Sequence, residues 1–372
     1  LIILTFFYTI FIMKLRDFNN YITKDFFIMN QRRVFYLDFI RVVSILFIFI
    51  YHFNIAMEDF NISVPFSLLT NTCNVTLGHI GVSLFLLLSG ASLTYTYPKY
   101  KTLKEFYKKR FLSIFPAFWL IYLGLFLWFD VPEHTGILAS ETPLWYLIFS
   151  VIGMDGYLYA ILPTFYSIGE WFLGMIIVLY LLFPFFHWCM KKFPRIFFVV
   201  LLIWYFAWTR LYSFSLFPVE RSILVRVFDF ILGMYFIAYI KKLPMIVGYF
   251  AILGSIILLF CPLPLPFMDR IELSGIFLFV ALCTISALIT SEVFSKLCMY
   301  ISKCSYPFFL LHHVVLTRLL HKHTDASFLA VEYFIIIIMT FLYTLFLAAG
   351  IERMLQAFFG YLKKRRTPTL IK

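Results

Sequence analysis

The stretch YLDFIRVVSILFIFIYHF (residues 36–53) decides how this chain is read, because it is apolar enough to cross a bilayer yet carries an acid, an arginine and a histidine. Arg41 and His52 lie about three helical turns apart, roughly 16 Å, so both project from nearly one helix face. An arginine inside a bilayer costs of order 2.5–3.5 kcal/mol on insertion scales, so its side chain belongs against a partner or a watery cavity. Two readings stay open on these residues alone. In one, Asp38 and Arg41, spaced i and i+3, form a structural ion pair and His52 hydrogen-bonds near the interface; in the other the face is an intramembrane functional site.

Outward from this stretch the whole chain is apolar: 63% of its residues are hydrophobic and 13% are charged, which excludes a water-soluble globule. Apolar runs near residues 34–56, 77–97, 111–129, 168–188, 196–212, 222–240, 245–261, 271–290, 304–320 and 330–352 predict an all-α integral membrane protein. The expected fold is a single bundle of about ten transmembrane helices with no soluble catalytic domain. The net charge of +12 sits in short clusters between apolar runs, which argues for a lipid bilayer and against nucleic acid as the partner. The six cysteines show no CxxC spacing, so neither a disulfide framework nor a zinc site is expected.

The basic clusters also set the topology. Arg32/Arg33, Lys99 through Arg110, Lys191/Lys192/Arg195, Lys241/Lys242, Lys296/Lys303 and Lys363 through Arg366 fall in alternate linkers, and the positive-inside rule puts them and both termini in the cytoplasm. The segments from Phe53 to Thr76 and from Asp130 to Glu170 hold acids and no lysine or arginine. Residues 143–153, PLWYLIFSVIG, are too short to span and read as interfacial. Residues 1–28 are expected to be an amino-terminal extension outside the native protein or an interfacial appendage, since Met29 offers a second start. Residues 29–356 form the membrane domain and 357–372 a basic tail on anionic headgroups.

Other polar residues have plain readings. Arg226 and Asp229 are spaced for an ion pair within a span. His321 and His323 supply too few ligands for a metal, so none is expected. Glu170 at a helix start suits a sugar hydroxyl, though the helix dipole favours a carboxylate there in any case. Trp171 suits stacking on a sugar, although tryptophan is common at membrane interfaces.

Residues 36–53 resemble the first-helix signature of integral membrane acyltransferase family 3, an arginine and a histidine separated by ten residues. Further blocks are similar to the family's in the same order: GHIGVSLFLLLSGASL (78–93), FYKKRFLSIFPAFW (106–119), WFLGMIIVLYLLFP (171–184), FDFILGMYFIAY (228–239), CSYPFFLLHHVV (304–315) and GIERML (350–355). Two positions depart from it. Ser113 stands where many members have a second arginine, and Ile176 where one large branch has a glutamate.

The resemblance implies an enzyme, an O-acetyltransferase-type acyltransferase in the cytoplasmic membrane of a bacterial cell. It would move an acetyl or succinyl group from cytoplasmic acyl-CoA to a hydroxyl of a surface polysaccharide or its lipid-linked precursor, with no permanently bound cofactor. Arg41, Lys108, Lys109 and Arg110 are the expected contacts of the acyl-CoA phosphates. His52 is the expected general base, with Arg41 beside it in the catalytic set. Ser89, Tyr306 and His312 are candidate substrate-side donors to the tetrahedral oxyanion, and Glu170 and Trp171 candidate acceptor contacts. A serine beside a glycine is also an ordinary helix-packing residue. The alternative is a multi-pass transporter or flippase of glycan precursors, which inverted repeats would favour.

Overall fold

The computed structural model describes residues 26–28, 35–65, 70–134, 136–214, 217–240 and 242–366. Among these, ten long helices follow one another: α1 (Phe35–Asp59), α2 (Leu77–Thr96), α3 (Leu103–Leu125), α4 (Glu170–Lys192), α5 (Pro194–Leu211), α6 (Ile223–Tyr239), α7 (Met245–Phe260), α8 (Phe267–Leu288), α9 (Glu292–Leu320) and α10 (Ala330–Arg366). Seven of them are long and apolar enough to cross a membrane: α1, α2, α3, α4, α5, α8 and α10. The helices α6 and α7 have 17 and 16 residues, and α9 mixes apolar turns with Glu292, Lys296, Lys303 and Arg318. The only sheet among the described residues is a two-stranded antiparallel ribbon, β1 (Phe26–Ile28) with β2 (Lys242–Pro244). The rest of the expected extension, residues 1–25, lies outside the described residues.

The hydropathy reading places the helices well but not their ends. α9 begins at Glu292 instead of near 304, because Ser291 caps it by accepting from the Phe294 N–H and the polar turns that follow are good helix formers. The basic linker expected at Lys296 and Lys303 is therefore helix. α10 likewise runs on to Arg366, beyond the apolar run that ends near 352. Residues 143–153 form a 3₁₀ turn and the short helix Leu147–Val151, too short to span.

Helix α2 lies at the centre, packed by α1, α6 and α8. It meets α6 at a reciprocal glycine contact: a Cβ on Gly90 would overlap the Phe230 carbonyl, and one on Gly233 would overlap the Leu87 carbonyl. Small residues let the two backbones touch, which is how helices gain packing energy where lipid offers no hydrophobic drive. Beside this crossing, the buried Arg226 of α6 binds Asp229 at 3.0 Å and Glu272 of α8 at 3.3 Å, and donates to Ser83 Oγ of α2 at 3.1 Å. The ion pair anticipated from the i, i+3 spacing is one arm of a network joining three helices.

The segment between α3 and α4 folds over one end of the bundle. Tyr122 donates to the Phe165 carbonyl at 2.6 Å, and Trp119 donates to that of Val151 at 2.8 Å. Gly156 packs so closely on the Glu170 backbone that a Cβ would collide with it. Asp155, next to it, is 1% exposed, and burial pushes its carboxyl up to about 6, against the opposing effect of Ser150.

Two outcomes follow from these contacts. Arg226→Met leaves two buried carboxylates facing each other without a cation and should cost about 3–5 kcal/mol, read as a lowered thermal midpoint in detergent. An unchanged midpoint would contradict the network. The folded protein holds the Asp155 proton more tightly than the unfolded chain, so stability is lost as pH rises from the ordinary carboxylate range through about 6. Asp155→Asn should flatten thermal stability across that window; the same slope in wild type and variant would count against this assignment.

Candidate active site

Three helices bring their polar groups to one point. α1 contributes His52, α9 contributes His312 and His313, and α4 contributes its first residue, Glu170. Glu170 sits in the left-handed region at φ 41°, directly after Gly169 at φ 93°. Glycine adopts such angles freely, whereas a glutamate there is strained, and strain of this kind collects at functional sites. The two left-handed residues turn the chain sharply into α4 and send the carboxylate inward, where it is 12% exposed.

The hydrogen bonds set the tautomers. His312 Nδ1 lies 2.6 Å from the Phe309 carbonyl, which only accepts, so Nδ1 carries the proton. Its Nε2, 2.8 Å from His52 Nδ1, is then the acceptor in the neutral ring. His52 therefore donates from Nδ1 and keeps a lone pair on Nε2, which stands 3.7 Å from Glu170 Oε2. That is the arrangement of an oriented base: one imidazole holds the other, and a carboxylate waits beside the imidazolium that would form.

His52 and Glu170 line a cavity of about 250 Å³ together with Trp171, Tyr51, Glu220 and Arg221. The Arg221 guanidinium lies 5.9 Å from the centre of the Trp171 ring. A second cavity, of about 260 Å³, holds Arg41, Ser89, Ser113, Ile176, Ser305 and Tyr306. Phe172 and Phe309 line both, with ring centroids 5.6 Å apart in a T-shaped contact, so the wall between the cavities is an aromatic pair.

Arg41 is both partnered and accessible. It donates to Ser302 Oγ at 2.9 Å, Ser302 donates to Asp38 at 2.6 Å, and Arg41 lies 3.7 Å from Asp38, yet its side chain keeps 28% exposure and reaches the second cavity. The Asp38–Arg41 pair and an exposed functional face are thus compatible. Ser89 and Tyr306 join Arg41 and lie across the aromatic wall from His52. The Tyr306 hydroxyl is buried with no hydrogen-bond partner among the described residues. Glu170 and Trp171 join His52, and His312 stands behind it with both nitrogens engaged. Arg110 lines a neighbouring cleft that shares Ile114 and Tyr180 with the Arg41 cavity, and Lys108 and Lys109 are exposed on the same helix.

Sequence reasoning passed over His313, Arg221, Phe172 and Phe309. The doublet His312–His313 was visible, but adjacent helical residues point about 100° apart, and nothing in one dimension says that both meet Glu170. The histidines beyond them, His321 and His323, stay on an exposed turn.

Apolar helices, seven of them long enough to cross a membrane, bring an imidazole–carboxylate cluster and a separate cationic cavity together, as a multi-pass membrane protein can. The chain belongs to acyltransferase family 3, whose acyltransferase-domain model matches residues 34–353, and it is a membrane acyltransferase. No curated protein and no solved structure matches it. Both positions that depart from the family pattern, Ser113 and Ile176, line the Arg41 cavity.

Proposed function

We propose that the protein transfers an acetyl or succinyl group from cytoplasmic acyl-CoA to a hydroxyl of a surface polysaccharide or its lipid-linked precursor, in the cytoplasmic membrane of a bacterial cell. On this reading the chain spans the bilayer about ten times with both termini in the cytoplasm, as the basic linkers favour. The observation that carries it is that one helix, α1, presents Arg41 to one cavity and His52 to another, with a shared wall of two aromatic side chains. Nothing among the described residues favours the transporter alternative.

The donor enters at the Arg41 end. Arg41 binds a phosphate by charge-assisted hydrogen bonds, Arg110, Lys108 and Lys109 hold the rest of the anionic head nearby, and the arm runs past Ser89, Ser305 and Tyr306 so that its thioester end passes between Phe172 and Phe309 to reach His52. The acceptor occupies the His52 cavity, where Trp171 offers a stacking face and Arg221 and Glu220 offer polar contacts. His52 Nε2 takes the proton of the acceptor hydroxyl as its oxygen attacks the thioester carbonyl carbon. Collapse of the tetrahedral intermediate breaks the carbon–sulfur bond, and the departing thiolate takes that proton to leave as the free thiol. His312 holds the base in its reactive tautomer, and Glu170 stabilises the transient imidazolium.

Transfer from labelled acyl-CoA in membranes tests the assignment. His52→Ala should lower the rate by about 10²–10⁴-fold and leave coenzyme A binding unchanged. Arg41→Ala should weaken coenzyme A binding by about tenfold or more, the worth of a hydrogen bond to a charged group. Undiminished transfer by the histidine variant would overturn the reading. Phe309→Ala removes half of the wall that keeps acceptor-side water from the thioester, so hydrolysis of acyl-CoA should rise relative to transfer; an unaltered ratio would contradict the barrier role.

A further inference from the structure

The His52 centre has a second chemical capacity. Glu170 Oε1 lies 3.3 Å from His312 Nε2 and 3.6 Å from His313 Nε2, and Oε2 lies 3.7 Å from His52 Nε2. One donor atom from each of these four residues falls within 4.8 Å of all the others. Ligands about a tetrahedral zinc ion at 2.0–2.1 Å are separated by roughly 3.3–3.4 Å, close to these carboxylate–imidazole distances. Glu170 Oε1 is buried and makes no hydrogen bond among the described residues, although two imidazole nitrogens stand beside it. A buried oxygen next to nitrogens, with no hydrogen-bond geometry, is what a set of ligands awaiting a shared cation presents. Three imidazoles and one carboxylate are a borderline donor set that suits Zn²⁺ over Mg²⁺ or Ca²⁺.

We infer that His52, Glu170, His312 and His313 form a Zn²⁺-binding site whose occupancy switches the enzyme off; the inhibitory half rests on the acyl-transfer reading above. The antagonism is built into one lone pair. His312 Nε2 accepts from His52 Nδ1, and its Nδ1 is committed to the Phe309 carbonyl, so His312 can ligate zinc only through the lone pair that holds the base. Binding the ion therefore releases His52 from its tautomer, and His52 in turn gives up a nitrogen lone pair to the metal. No electron is transferred and no covalent bond changes: lone pairs on three imidazole nitrogens and on the Glu170 carboxylate are given to the cation, and the His52–His312 hydrogen bond is lost. His313, with a side chain 45% exposed, is the solvent-facing member of the four and takes no part in the transfer itself.

The test uses the full-length protein in detergent and Zn²⁺ alone. Titration should give about one tightly bound ion per chain, and Co²⁺ in its place should show the visible absorption of a four-coordinate site. His313→Ala and Glu170→Gln should each weaken zinc at least tenfold, with His321→Ala as a control that changes nothing. In transfer assays, micromolar zinc should inhibit wild type, a chelator should restore the rate, and His313→Ala should resist the same zinc, each variant's metal-free rate being its own reference. Binding that is absent, or indifferent to both substitutions, overturns the site. Site-specific binding without inhibition overturns the switch. The titration needs no acyl donor, so a protein that binds zinc at this site but transfers nothing would refute the proposed reaction and not the site.

Discussion

A formal charge inside a bilayer has to be paired or wetted, and the polar architecture of this protein follows from that constraint. Three charged groups obey it in three ways. Arg226 is sealed among Asp229, Glu272 and Ser83 and so ties α2, α6 and α8 together. Arg41 is paired with Asp38 and Ser302 while its side chain lines a cavity. Glu170 is surrounded by imidazoles and held in a strained backbone. The first arrangement joins helices, and the other two border cavities.

The rigid centre positions the reactive edge. The glycine crossing of α2 and α6 brings two backbones into contact, and α1, which carries Arg41 and His52, packs on α2. The loop over α4 adds a second constraint through Gly156, which has no side chain to keep the Glu170 backbone away. Chemistry that needs a base and a donor in fixed relation gains from both.

Much of this was legible in the sequence, and the reason is periodicity and polarity. Apolar runs marked all ten long helices, and the Arg41–His52 spacing marked the helix that carries both candidate groups. The ends of α9 and α10 were not legible, because capping and helix propensity, not hydropathy, decide where a helix stops. The convergence of His52 with His312 lies across 260 residues, and no local pattern encodes which helices become neighbours. The same holds for the Phe172–Phe309 wall, whose members look like ordinary core aromatics in sequence. Glu170 was noticed for its place at a helix start; its left-handed backbone and its three imidazole neighbours are properties of the fold alone.

The central claim is that one helix links a donor taken from one side of the membrane to an acceptor on the other. Sealed, inside-defined vesicles carrying the protein in one orientation test it most directly, with labelled acyl-CoA enclosed on the side of Arg41 and the glycan acceptor supplied only on the side of His52. The account predicts labelled acceptor outside while the vesicles stay sealed. Product formed only when donor and acceptor share a compartment would contradict it.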